Sequence, residues 1–238
     1  MPTFTHGKNA SVFSNGYDVS SYLSSVTVAG EADVAEVTTL GADDKAYIGG
    51  LRDATLSAEG FFSGASGAID ELLEARLGST TTWTVVMQAD AVGALAYCAR
   101  AVDTSYETGA ELGGAVAITA EGQITGGREA ARVLHPLGSE TATGESASVD
   151  NSLSTSNGLS AYLHVTAASG TTPTLDVKVQ HSADNSTWAD LATFTQVTSA
   201  NGYERIAATG TVNRYIRAQF TLGGTSPDFT FHLAAARL

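Results

Sequence analysis

The strongest constraint on this chain is a two-residue rhythm. In residues 54–62, Leu56, Ala58 and Phe62 fall on one phase, and Thr55, Ser57 and Glu59 on the other. In residues 114–124, Val116, Ile118, Ala120 and Ile124 alternate with Thr119, Glu121 and Gln123. Successive side chains of a strand point to opposite faces, so this rhythm predicts half-buried strands. Residues 83–89 and 95–102 predict two more, joined by a turn at 90–93, and residues 22–28 and 35–40 predict a further pair. One segment breaks the rhythm. Residues 66–78 place Ile69, Leu72, Leu73 and Leu77 at helical spacing. Asp70 and Glu71 early and Arg76 late suit the helix dipole. Ser66 is the expected N-cap and Gly78 the expected stop.

The second half reads as all β. Residues 161–167, 175–181, 189–195, 203–208, 214–221 and 229–235 predict strands, with turn signals at 168–172, 184–186, 201–202 and 223–227. Short strands set apart by such turns predict an antiparallel sandwich or barrel. Between the halves, residues 138–146 are small and polar, residues 151–158 are rich in Ser and Asn, and Pro136 punctuates. A boundary at residue 135 is expected, giving domains 1–135 and 136–238. No period of 20–50 residues is present, which excludes a solenoid.

The charge is unevenly shared. The chain has 238 residues and a formal net charge of −13; residues 1–127 hold 16 acids and 5 bases, residues 128–238 hold 9 acids and 7 bases. An acidic chain with no basic run is a poor ligand for phosphate backbones or anionic membranes. Apolar runs fall short of the roughly 20 residues of a membrane span. The opening Met-Pro-Thr-Phe-Thr-His has neither a basic nor an apolar stretch, so no signal peptide is expected and synthesis in a cytoplasm is. The single Cys98 permits no intrachain disulfide, and its apolar surroundings predict a small core residue.

No catalytic signature is present: no nucleophile elbow, phosphate loop, dinucleotide fingerprint or paired metal histidines on a helix. No catalytic residue, cofactor or metal is therefore expected. Asp43 and Asp44 lie in a Gly-flanked loop, with too few spaced oxygen ligands for calcium. His164 and His232 fall on the polar phases of their strands and are expected on the surface. His181 closes a strand, and His6 and His135 lie in a tail and a linker. Trp188 follows a turn; it reads as a core anchor, with a sugar-stacking platform as the other reading.

Several ordered segments carry a resemblance. Residues 12–28 read VFSNGYDVSSYLSSVTV, residues 31–41 EADVAEVTTLG, residues 45–54 KAYIGGLRDA, and residues 56–62 LSAEGFF before the helix. This order resembles the tail tube (major tail) proteins of siphophages over about residues 10–127. Residues 175–194 and 213–227 also resemble modules of phage structural proteins. The resemblance implies a mainly β fold, a tail-tube-type sandwich or barrel with one packed helix, followed by an all-β sandwich. It implies a non-enzymatic virion subunit, made in the bacterial host. Its partner is itself, in hexameric rings or in trimeric rings with pseudo-sixfold symmetry, stacked into a tube around a tape-measure protein. DNA passes transiently down the lumen, and no membrane is involved. Under the resemblance, Asp43, Asp44, Lys45, Tyr47 and Ile48 belong to a ring-stacking loop over residues 43–50. Glu59 and Glu121 are the first candidates to line the bore, ahead of Glu31, Asp33, Glu36, Glu107 and Glu111. The residues beyond 135 are an external decoration or a second tube-building unit. Other readings are a decoration or tail-completion protein of the particle, or a carbohydrate-binding sandwich using Trp188 and Tyr203.

Overall fold

The computed structural model describes residues 4–238. The first three residues of the N-terminal stretch read for a signal peptide lie outside the described residues. The chain is mainly β, as the alternation predicts. Its elements begin with β1 (Ser11–Ser14), β2 (Tyr17–Asp18), β3 (Leu23–Glu36), β4 (Tyr47–Phe61) and α1 (Ile69–Glu74). Next come β5 (Thr80–Val86), β6 (Leu95–Gly109), β7 (Ala117–Glu140), β8 (Gly144–Glu145) and β9 (Val149–Asp150). The order closes with β10 (Leu159–Ser182), β11 (Ala189–Thr193), β12 (Gly202–Ala208) and β13 (Tyr215–Arg237).

Two compact units interleave along the sequence. The first takes Met1–Ser21, Thr82–Cys98 and Glu129–Leu238; the second takes Tyr22–Thr81 and Ala99–Arg128. This corrects the single boundary expected at residue 135, which falls inside β7. Of the small, polar residues that suggested a linker, 138–140 belong to β7 and 144–145 form β8, both paired with β13. Pro136 lies where the β7–β13 register shifts, a place that needs no amide donor.

The first unit is organised by β10 and β13, which pair antiparallel from Leu159↔Arg237 to Ser182↔Tyr215. The turns expected at 168–172 and 223–227 are instead irregularities within these long strands. Gly170, Thr172, Gly224 and Ser226 all take positive φ there, and the register shifts. Leu163 and Val165 from one half of β10 share a core with Val177 and Val179 from the other. A straight strand of this length would span on the order of 80 Å. The ladder therefore bends at its bulges and closes on itself as a sandwich. Left-handed turns at Asn185 and Asn201 fall where the sequence predicts them, the first closing the β10–β11 hairpin. The other phase of β10 and β13 is also covered: Tyr162, Ala234 and Ala236 pack with Phe13, Ala96, Cys98 and Val133.

In the second unit β3 pairs with β4 from Leu23↔Gly60 to Glu36↔Tyr47, and β4 with β7 from Thr55↔Gln123 to Phe61↔Ala117. The expected pairing of residues 22–28 with 35–40 is corrected, since residues 23–36 form one strand whose partner is β4. Gly60 is required at the base of this hairpin, because a Cβ there would run into the Tyr22 carbonyl. Ala54, Leu56 and Ala58 are buried, as are Ile118, Ala120 and Ile124, in keeping with the alternation. Phe62 and Val116, expected on the same phase, are exposed. They lie just past the last ladder pair, joined by the Phe62 N–H donating to the Val116 carbonyl at 2.9 Å.

The helix is shorter than its apolar spacing predicts. Ile69 and Leu73 are buried, but Leu77 is exposed beyond the helix end. Gly67 turns the chain with φ +74° just after Ser66, so the cap position passes to Ala68, which makes no side-chain capping bond. Glu71 compensates by accepting the Gly67 N–H at 2.7 Å. Gly78 takes the expected left-handed conformation after a turn, its N–H donating to the Asp103 carbonyl at 2.8 Å.

Candidate functional site

Two features of the second unit stand open to solvent. The first is a sheet face. One phase of β4 and β7 is buried; the opposite phase carries Thr55, Ser57, Glu59, Thr119, Glu121 and Gln123, with Ser25 and Thr27 from β3 beside them. Glu121 stands opposite Ser57, and Glu59 opposite Thr119. The two carboxylates are thus diagonal neighbours on one face, about 7–8 Å apart at Cα. Ser105 donates to Glu121 Oε2 at 3.5 Å, and neither glutamate is in an ion pair among the described residues. The face is hydroxyl-rich and acidic. Its outer strand, β3, is paired on one side only, with β4, among the described residues.

The second feature is the far half of the β3–β4 hairpin. Residues 31–36 and 47–53 are exposed on both phases, so this half is an arm with no core of its own. It displays Val34, Val37, Leu40, Tyr47, Ile48 and Leu51 to solvent. Of the expected stacking loop, Asp43, Asp44 and Lys45 lie in the connection, whereas Tyr47 and Ile48 are strand residues paired with Glu36 and Ala35. Lys45 closes the tip with an ion pair to Glu36 at 3.0 Å, and the Ala46 N–H donates to Thr38 Oγ1 at 3.1 Å. Asp43 and Asp44 are exposed.

The histidines correct the sequence expectation. His164 and His232 are buried, not exposed, and face each other in the β10–β13 register. Phe13 stacks on His232 at 4.3 Å between ring centroids and on His164 at 5.9 Å. The Gly16 N–H donates to His164 Nδ1 at 3.2 Å, and Thr84 Oγ1 lies 3.0 Å from Nε2. His232 Nε2 lies 3.3 Å from Asp90 Oδ1, close enough for an ion pair but without hydrogen-bond alignment. His135, expected in a linker, is buried in β7, stacked on Phe231 at 4.0 Å and 3.1 Å from Glu140. His181 is half-buried and accepts the Asn213 N–H; burial lowers its pKa. No three His, Cys, Asp or Glu side chains converge on a common point among the described residues.

Cys98 is buried as expected, and burial pushes its thiol up to about 12, which keeps it protonated and unreactive. Trp188 is not a core anchor: it is half-buried at the surface, with the Arg217 guanidinium 4.2 Å above its ring. A partly buried network missed at the sequence level joins Glu129, Tyr162 and Arg205, the guanidinium bridging both partners at 2.8–2.9 Å. No helix among the described residues is long and apolar enough to cross a membrane.

No protein-family model matches the chain, and no curated protein matches it. Among solved structures, the chain is similar to one from the virion of a native gene transfer agent particle. That match has 17% identity and a TM-score of 0.43, over 53% of this chain and 98% of that one. A chain from the tail of an empty gene transfer agent particle, solved with C6 symmetry, is similar at 17% identity and a TM-score of 0.39, over 46% and 81%. The Dit (gp 19.1) protein of SPP1, described as a paradigm of the hub adsorption apparatus in phages infecting Gram-positive bacteria, is similar at 14% identity and a TM-score of 0.36, over 96% and 99%.

Proposed function

We propose that this chain is a self-assembling structural subunit of a phage tail, the repeating unit of the tail tube. The observation that carries this reading is the construction of the second unit. Its sheet has one face buried, one face polar and acidic, and a 14-residue outer strand paired on one side only among the described residues. A long one-sided strand is a template for another chain, and closing such strands into a shared barrel removes the exposed edge. In a ring of copies, the face bearing Glu59 and Glu121 lines the bore. Carboxylates there repel phosphate, so DNA passes without sticking. The arm supplies the contact between rings: its exposed apolar residues are explained by a partner surface.

Electron microscopy of concentrated, negatively stained protein tests this reading. Long hollow tubes are the expected result. Discrete rings at every concentration point to a decoration or tail-completion role instead, and monomers alone refute self-assembly. For the carbohydrate-binding alternative, Tyr203 is exposed, but Arg217 already occupies one face of the Trp188 ring.

A further inference from the structure

The first unit holds a pocket that the tube reading leaves without a role. Ala130 and Ala235 are small residues in its lining, Arg132 and Arg237 supply its charge, and Asp150, Asn151 and Ser152 complete it. Arg132 stands opposite Ala235 in the β7–β13 ladder. Arg237, two residues further along β13, is therefore its diagonal neighbour on the same face, about 7–8 Å away at Cα. The acid within the pocket is committed elsewhere: Arg214 grips both oxygens of Asp150, at 2.7 and 2.6 Å. Arg237 donates Nη2 only to the neutral carbonyls of Leu153 and Val212, and its Nε is buried with no hydrogen-bond partner among the described residues. Arg132 donates Nη1 to the Gly93 carbonyl at 3.3 Å. Two guanidinium forks thus share one concavity whose lining carboxylate, Asp150, is already paired with Arg214. Burial draws the Arg237 pKa down, yet a guanidinium stays charged at any physiological pH. The planar fork of arginine matches carboxylate and phosphate oxygens two by two.

We infer that this pocket binds an oxyanion, and that in the assembly the anion is the Asp43–Asp44 pair of a second copy. The second half of this inference rests on the self-assembly reading. Asp43 and Asp44 are adjacent, exposed and without an ion pair or hydrogen bond among the described residues, whereas Glu36 beside them is already held by Lys45. They belong to the unit that carries most of the negative charge, 14 acids against 5 bases. Two neighbouring carboxylates answer two neighbouring guanidiniums.

The test titrates two probes into the full chain under conditions where it is monomeric: a peptide of residues 38–48, and inorganic phosphate. The arginine Nε–H resonances are followed by NMR. The peptide is expected to shift Arg132 and Arg237 saturably and to release with added salt. Asp43→Asn with Asp44→Asn in the peptide, or Arg132→Gln with Arg237→Gln in the protein, should weaken binding by about tenfold or more. A thermal melt checks that the arginine variant is folded; if it is not, Arg132→Gln alone serves. Binding of phosphate but not peptide overturns the second-copy assignment, and binding of neither overturns the pocket. Normal tubes from the folded arginine variant overturn the assembly role while leaving the tube reading intact. Peptide capture by a chain that never polymerises supports the pocket and removes the tube.

Discussion

His164 and His232 meet across the β10–β13 ladder in the interior of the first unit. The Gly16 amide must donate to His164 Nδ1, so the imidazole carries its proton on Nε2 and donates it to Thr84 Oγ1. His164→Phe keeps an aromatic ring beside Phe13 but strands the buried Gly16 amide and leaves the Thr84 hydroxyl with the Cys98 thiol alone. An unsatisfied buried group costs about 1–3 kcal/mol. Urea denaturation should show a loss of that order, with an unchanged slope. Asp90 makes the interior pH-sensitive. Burial works to raise its pKa, but the His232 imidazole, the Leu137 amide and the more distant His135 outweigh it, and the net direction is downward from 3.8. A carboxylate depressed in the folded state stabilises the fold above its unfolded pKa and loses that contribution as pH falls through the folded value. Stability should therefore decline as pH drops below about 4, and Asp90→Asn should flatten that decline in denaturation curves taken from pH 6 downward. These histidines escaped the sequence reading for a physical reason. Alternation assigns the polar phase to solvent only where one face of a sheet is wet, and in β10 residues 159–165 are all buried. The available signal was a lack of charge: β10 holds no Asp, Glu, Lys or Arg before Asp176.

The strands themselves were legible wherever one face is wet. Leu56 and Ala58 against Thr55, Ser57 and Glu59 were assigned to the correct faces of β4, whereas Phe62, read on the apolar phase, is exposed just past the strand's end. Strand lengths were not legible, because Gly and Pro clusters that signal turns also signal bulges. Gly170 and Gly224 bend a continuous ladder instead of ending it. The helix was legible in its buried residues, Ile69 and Leu73, but not in its cap, where the left-handed Gly67 displaced Ser66. Of the proposed assembly surface, the acidic pair and the Tyr47–Ile48 pair were visible as residues. The arm that carries them was not, since residues 31–36 and 47–53 reveal their pairing only through the register. A two-stranded hairpin without a core is marginal on its own. Its exposed side chains therefore contribute little to the subunit's stability. Replacing Tyr47 and Ile48 together by Ser should change the monomer's stability by less than about 1 kcal/mol. The same variant should fail to form tubes under the microscope; normal tubes would remove the arm from the stacking contact.

Across the whole molecule the negative charge follows the units. The second unit holds 14 of the 25 acids, and the first holds 11 acids with 7 of the 12 bases. Glu59 and Glu121 lie on the open face of the more acidic unit. Under the tube reading, Glu59→Lys with Glu121→Lys should leave tubes intact but slow DNA release from particles, with the delay relieved by salt that screens charges beyond about 8–10 Å. A tube map with both side chains on the outside would refute the assignment. The interleaving has a consequence for how the protein is made. On the ribosome, β3, β4 and α1 emerge early, but their unit is finished only when residues 99–128 follow. The larger unit waits longer, because β7 and β10 both need β13, and Leu159 pairs with Arg237. Pairings of such sequence separation form slowly, and unpaired strands on a nascent chain are open to the wrong neighbours. β13 thus acts as a latch: until it pairs with β7 and β10 the sandwich is incomplete, and the strands that await it stay open to pairing with another chain.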